Sequence, residues 1–147
     1  MKPVTDFPSP ETRHPHRVSY GETDAMGVVY YSNYLHWFEK ARSTYIRERG
    51  IGYTEIEARG VYMPVTEAWC KYLHPCRFDE LIYIRAAICD WGKASFSFKY
   101  EVLGPDQDRV HTLGRTEHVC MGSNGRPVRV PAWLKEMCMD RPTEARG

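Results

Sequence analysis

Residues 20–42 read YGETDAMGVVYYSNYLHWFEKAR. The stretch holds a lone aspartate, Asp24, that looks enclosed by aromatics, then a glycine, Gly27, then the start of a helix. Tyr34, Phe38, Ala41 and Tyr45 follow at spacings of four, three and four, which puts them on one face of an α-helix. Ser32 or Asn33 can cap its start and Gly50 fits just past its end, so the pattern predicts a helix over 33–49. An aspartate shortly before a glycine is an ordinary turn residue. An aspartate shortly before a helix start is also a carboxylate facing amides that have no partner within the helix. The flanking sequence decides between the two.

Outward from this stretch, RVSY at 17–20 is short and β-like, and TEIE at 54–57 has the form of a capping box opening one short helical turn. Beyond Val61 the period changes to two. In ELIYIRAAICDW, Ile82, Ile84, Ala86 and Ile88 share a face. In SFSFKYEV, Phe96, Phe98, Tyr100 and Val102 share one, with Ser95, Ser97, Lys99 and Glu101 opposite. LGPDQD at 103–108 and SNGRP at 123–127 are turns by composition, TLGRTEHVCM between them is a strand, and VPAWLKEMC closes with a helical turn. Short connections imply antiparallel pairing. A single apolar helix stripe needs a sheet to cover it. The architecture expected is α+β, an antiparallel β-sheet wrapped around one long central helix.

The chain has 147 residues, enough for one domain with one core. The expected division is a flexible N-terminal arm over 1–15, rich in proline, a domain over 16–140 and a C-terminal tail over 141–147. Hydrophobic residues make up 42% and charged residues 27%, which predicts a folded globular protein. A net charge of +1 leaves no electrostatic footprint for nucleic acid. No window approaches the roughly 18 consecutive apolar residues of a membrane span, and the N-terminus lacks the apolar core of a secretory signal. The five cysteines are scattered, with no Cys-x-x-Cys, which fits a reducing cytoplasm better than a disulfide framework. Their spacing and that of the six histidines supports no metal site.

ETDAMGVVYYSNYLHWFEKAR resembles the signature loop and helix start of the 4-hydroxybenzoyl-CoA thioesterase family, particularly its Tol-Pal-associated acyl-CoA thioesterase branch. The likeness continues through MPVTEAWCKYLHPCRFDELIYI, WGKASFSFKYEV and GRPVRVPAWL, over roughly residues 16–135. It implies a hotdog fold, a coenzyme A thioester substrate, no metal, and a homodimer or homotetramer with active sites at the subunit interface. No cofactor is expected, since coenzyme A is part of the substrate. Asp24 matches the family's catalytic carboxylate. Tyr31 stands where many members of the Tol-Pal-associated branch carry histidine; in the hydroxybenzoyl branch, which has tyrosine there, the backbone amide polarises the thioester carbonyl. Lys93 and Ser95 match the strand that runs past the coenzyme arm, where a lysine can hold a phosphate as a point charge.

The chemistry agrees with that likeness. Thioester hydrolysis places negative charge on the carbonyl oxygen, and amides at a helix start carry the positive end of the dipole, so they can form an oxyanion hole. Gly27 lets the chain turn tightly between Asp24 and Tyr31. A thiolate leaves without a strong acid, so one carboxylate suffices. Asp24 then acts as nucleophile or as general base on water. Other residues have plainer readings. Trp37 and Phe38 pack the helix, His36 and Glu39 make a surface pair one turn apart, and His74 is a loop residue. Glu67 is a second acid, on a strand, that could compete with Asp24. The expected activity is acyl-CoA thioesterase. The alternatives are a thioesterase acting on acyl carrier protein and a non-catalytic acyl-thioester binding module.

Overall fold

Helix α1, Asn33–Glu48, buries Tyr34, Trp37, Phe38, Ala41, Tyr45 and Ile46. Four of these are the residues whose spacing defines the helical face, and Trp37 and Ile46 widen it to the breadth a sheet can cover. The computed structural model describes residues 2–3 and 6–139. Along the chain come β1 (Lys2–Pro3), β2 (Thr12–Arg17), a 3₁₀ turn (Tyr20–Glu22), α1, α2 (Tyr53–Ala58), β3 (Val65–Tyr72), β4 (Leu81–Cys89), β5 (Ser95–Leu103), β6 (Arg109–Val119) and α3 (Ala132–Met137).

The strands form one sheet in the order β1-β6-β5-β4-β2, with β3 also paired to β6, and every pairing is antiparallel. The sheet wraps α1, which is the hotdog arrangement. Ile82, Ile84, Phe96, Phe98, Tyr100 and Val102 are all fully buried, so the period-two faces read from the sequence point at the helix. Phe38 stacks on Tyr100 with ring centroids 4.3 Å apart, and Tyr45 meets Phe98 edge-on at 5.3 Å. A Cβ at Gly114 would lie 2.3 Å from Phe38 Cζ, so glycine is what lets that ring reach the sheet. Burying each such side chain is worth about 1.5–3 kcal/mol.

Three local expectations need correction. The arm expected over 1–15 is not free along its length: Thr12–Arg17 is a full strand against β4, and Phe7 lies over the Arg85 guanidinium at 4.3 Å. The composition looked loose because β2, TRHPHR, is polar and carries a proline, which an edge strand tolerates. The β-like RVSY begins only at the end of β2, and Tyr20 opens the 3₁₀ turn instead. Thr54 does not cap α2; Gly52 is the N-cap, and no side chain bonds there. The second face of β5 is covered as well. Glu101 is buried, with Arg85 Nη1 donating to its Oε1 at 3.1 Å while Glu11 binds the same guanidinium, and Ser97 is buried with its hydroxyl donating to Glu117. The expected tail over 141–147 lies outside the described residues.

The candidate site residues fall at two ends of the sheet. At one, Arg17 pairs with Leu81 at the start of β4, and the chain continues into the Asp24 loop. At the other, Cys89 pairs with Ser97 across the β4–β5 turn that carries Lys93. Eight residue steps at about 3.3 Å put these ends roughly 26 Å apart.

Candidate active site

The loop over 23–30 is closed by its own backbone. Thr23 bridges to Val29, the Asp24 N–H donates to Val28 O at 2.9 Å, and the Gly27 N–H donates to Asp24 O at 3.0 Å. Gly27 has φ +79°, a left-handed conformation that costs glycine little and other residues more. The Val29 N–H donates to Cys76 O at 2.9 Å and Val28 bridges to Arg77, so the loop is also tied to the segment leading into β4. Asp24 is exposed rather than enclosed. Its Oδ1 accepts the Met26 N–H at 2.8 Å and lies 3.4 Å from the Val28 nitrogen. Among the described residues its Oδ2 has no partner. The turn role and the available carboxylate oxygen therefore coexist in one side chain.

Tyr31 lies seven residues on, and α1 begins two residues later at Asn33. The Asn33 N–H donates to Tyr30 O and the Tyr34 N–H to Tyr31 O, while Asn33 Nδ2 donates to the carbonyls of Glu22 and Tyr30. Neither Ser32 nor Asn33 caps the helix with a side-chain oxygen, contrary to the expectation for that start. Among the described residues the Tyr31 N–H donates to no protein acceptor. It lies at the positive end of a 16-residue helix, where an anion or a developing oxyanion is favoured.

Asp24 and Tyr31 line one cavity of about 440 Å³, with Val28, Val29, Tyr30, Tyr34, Tyr72, Leu73, His74 and Pro75 completing its wall. Tyr72 reaches it from β3 and donates to Tyr31 O at 3.4 Å, which joins the far side of the sheet to the helix start. Tyr34 packs edge-on against Tyr72 at 5.1 Å. Burial, with the Cys76 thiol beside it, raises the Tyr34 phenol well above its usual range and keeps it protonated. Cys76 itself is pushed up to about 12 by burial, so it is a packing thiol and not a nucleophile. The cavity thus offers one carboxylate, one unpartnered amide and an apolar, aromatic wall. Both groups belong to one cavity wall, and a carboxylate with an amide donor is the minimum acyl transfer to water requires.

The other expected site residues lie elsewhere. Lys93 lines a separate cleft of about 580 Å³ with Trp91, Gly92, Arg129, Val130, Ala132 and Lys135, at the opposite end of β4 from Asp24. Ser95 opens β5 next to this cleft and is not part of its wall. One chain therefore does not bring Lys93 to Asp24. Glu67 borders a third depression with Trp69, Arg115 and Glu117, and takes no part in the Asp24 cavity. Trp37 and Phe38 are fully buried. His36 Nδ1 lies 3.7 Å from Glu39 Oε2 on the open face of α1, a surface pair as its spacing suggests. His74 is an exposed loop residue that also borders the cavity, its ring edge-on to His111.

Sequence reasoning missed Tyr34, Tyr72 and His74 as cavity residues and Arg129 and Lys135 as companions of Lys93. Tyr72 and Arg129 reach these sites by tertiary contact, and nothing in their local spacing announces it. Glu22 was also passed over, although its position two residues before Asp24 is a visible signal; its partners are described below.

A sheet wrapped round one helix is the hotdog fold. The chain belongs to the thioesterase-like superfamily, whose sequence model matches residues 18–137, and its enzymatic class is that of a thioester hydrolase. An Aquifex aeolicus protein named as an esterase is 32% identical, across 84% of this chain and 94% of its own length. The acyl-CoA thioester hydrolase YbgC of Escherichia coli is 30% identical over 64% of this chain and 70% of its own. Among solved structures, the DHNA-CoA thioesterase of Staphylococcus aureus superposes with a TM-score of 0.78 at 28% identity, covering 86% of this chain and 85% of that one. Among the described residues no helix is long and apolar enough to cross a membrane.

Proposed function

We propose that this chain is an acyl-CoA thioesterase in which Asp24 is the catalytic carboxylate and the Tyr31 amide polarises the thioester carbonyl. The observation that carries the reading is the meeting of Asp24 and the helix start in one cavity, each with a polar group that has no protein partner among the described residues. In the nucleophilic form, a carboxylate oxygen of Asp24 bonds to the acyl carbon, the C–S bond breaks, and coenzyme A leaves as thiolate; water then hydrolyses the mixed anhydride. In the general-base form, Asp24 takes a proton from a water as the water oxygen bonds to the same carbon, and the C–S bond then breaks to release coenzyme A as thiolate. Both forms place charge on the carbonyl oxygen beside the Tyr31 N–H, where fixed donors are worth most. The reading uses protein groups and water, with coenzyme A entering as part of the substrate.

The wide gap between Asp24 and Lys93 within one chain supports a homodimer, or a tetramer built from dimers, in which the partner's basic cleft serves this chain's cavity. β3 is an edge strand with Val65, Trp69 and Tyr72 exposed, an apolar edge that isolated proteins avoid leaving open. Light scattering at micromolar concentration should give at least twice the 17.1 kDa chain mass; the mass of a single chain would remove the shared site. The scattered cysteines accord with a cytoplasmic location.

Release of free thiol from a panel of acyl-CoAs, aliphatic and aromatic, with the matching acyl-phosphopantetheinyl carrier protein as a separate arm, tests activity and leaving group together. Hydrolysis of acyl-CoA by wild type and not by Asp24→Asn supports the reading. Hydrolysis of the carrier-bound thioester alone would make this a carrier-protein thioesterase, and binding without hydrolysis would make it an acyl-thioester binding module.

A further inference from the structure

Glu22 lies two residues before Asp24 and gathers more bonds than any turn requires. Its Oε1 accepts the Ser19 N–H at 2.8 Å and the Ser19 hydroxyl at 3.1 Å. Its Oε2 accepts the Trp37 indole N–H at 2.6 Å, and His16 Nε2 lies 2.9 and 3.0 Å from the two oxygens. The backbone adds to this: the Glu22 carbonyl accepts the Tyr30 N–H at 2.9 Å and the Asn33 amide at 3.0 Å. One residue therefore ties β2 through His16, the 3₁₀ turn through Ser19, the interior of α1 through Trp37, and the helix start through Tyr30 and Asn33. The loop that carries Asp24 leaves from Glu22 and returns at Tyr30, onto the Glu22 carbonyl.

Burial alone would raise the Glu22 pKa. The Ser19 amide, the Trp37 indole and His16 outweigh it and hold the group at about 2, so the carboxylate keeps its full acceptor capacity at neutral pH.

Resting on the catalytic reading of Asp24, we infer that Glu22 is a positioning residue for the reaction: its carboxylate fixes the Asp24 loop and the first turn of α1 to the same rigid frame, setting Asp24 against the Tyr31 amide. Glu22 does not line the cavity and touches no reacting atom. A displacement of the order of 1 Å between a catalytic group and its target can cost about 10²-fold in rate. The two groups act together only as charge develops, so a loosened frame lowers kcat and leaves ground-state affinity alone.

The test is Glu22→Gln, which keeps the shape but replaces one acceptor oxygen with an NH₂ donor facing Trp37 or Ser19. Activity is measured on folded enzyme well below its Tm, with Asp24→Asn in parallel. Expected is a fall in kcat of about tenfold or more with KM within twofold of wild type. A purely structural Glu22 would lower Tm and leave kcat per folded site unchanged; kcat within twofold of wild type, or a loss carried by KM alone, overturns the inference. If Glu22→Gln does not fold, His16→Phe decides the matter, since it keeps the ring against Trp37 (centroids 5.0 Å apart) and removes one donor. A fall in kcat of about threefold at constant KM is then expected, and kcat within 1.5-fold overturns it. Asp24→Asn separates the two claims: if Asp24→Asn is inert and Glu22→Gln retains wild-type kcat, the positioning role fails while the catalytic reading stands. If Asp24→Asn is active, the catalytic reading itself fails.

Discussion

The helix start and the helix middle of α1 treat polar groups in opposite ways. Beneath the middle, Arg42 Nη1 donates to Tyr100 Oη at 3.1 Å, Tyr100 Oη and Thr116 Oγ1 are 2.7 Å apart, Thr116 Oγ1 and His118 Nε2 are 2.7 Å apart, and His118 Nδ1 lies 3.1 Å from Met63 O. Every member of that chain is spoken for, as burial demands. At the start, Asp24 and the Tyr31 amide each keep a group open to solvent. Water satisfies such groups cheaply until a substrate replaces it, whereas an open group in the interior would cost about 1–3 kcal/mol. On the proposed reading of Asp24 and Tyr31, the contrast gives stability to one region and chemistry to the other.

The interior gives the largest expected change in stability. Burial lowers the His118 pKa to about 4, against 6.5 for the unperturbed group. Between those values the unfolded chain binds a proton that the folded chain refuses, so the folded state loses stability as pH falls from about 6.5 to about 4. At about 1.4 kcal/mol per unit of separation, the limit is on the order of 3 kcal/mol. Thermal melts across that range should show Tm falling toward acid, and His118→Gln should flatten the slope while keeping kcat at neutral pH within twofold. A slope identical in the variant would place the titrating group elsewhere.

A smaller effect is expected at the far end of the sheet. Lys93→Ala should raise KM for acyl-CoA by about three- to tenfold and leave kcat nearly unchanged, because a contact remote from the thioester binds ground and transition states alike. An unchanged KM with a collapsed kcat would move Lys93 out of the coenzyme cleft.

The division between regions also explains what could be read from the sequence. The helix expected over 33–49 and observed as Asn33–Glu48 was legible because its apolar face repeats at one period. Asp24 and Tyr31, which share a cavity wall, could be picked out together because they lie within eight residues of one another. The buried second face of β5 was not, because Glu101 is paired with Arg85 from the next strand, and Glu11 and Phe7 from the chain's beginning close over that guanidinium. Period two announces which residues share a face, and it is silent on whether a distant segment covers that face. For the same reason Tyr72, on β3, could not be assigned to the helix start, and Lys93 could be matched to a coenzyme strand without any sign that it lies roughly 26 Å from the Asp24 end of its own chain.

The most direct test of the account is kcat/KM of Asp24→Asn on the best acyl-CoA, with circular dichroism, oligomer mass and Tm measured on the same sample. The amide keeps the shape and can still accept the Met26 N–H, but it is neither a base nor a comparable nucleophile. Because Asp24 is exposed and its Oδ2 unpartnered among the described residues, Tm should stay within a few degrees of wild type. The account predicts a fall in kcat/KM of about 10²–10⁴-fold. A folded, oligomeric variant within about threefold of wild type, a difference under 1 kcal/mol of barrier, would contradict it.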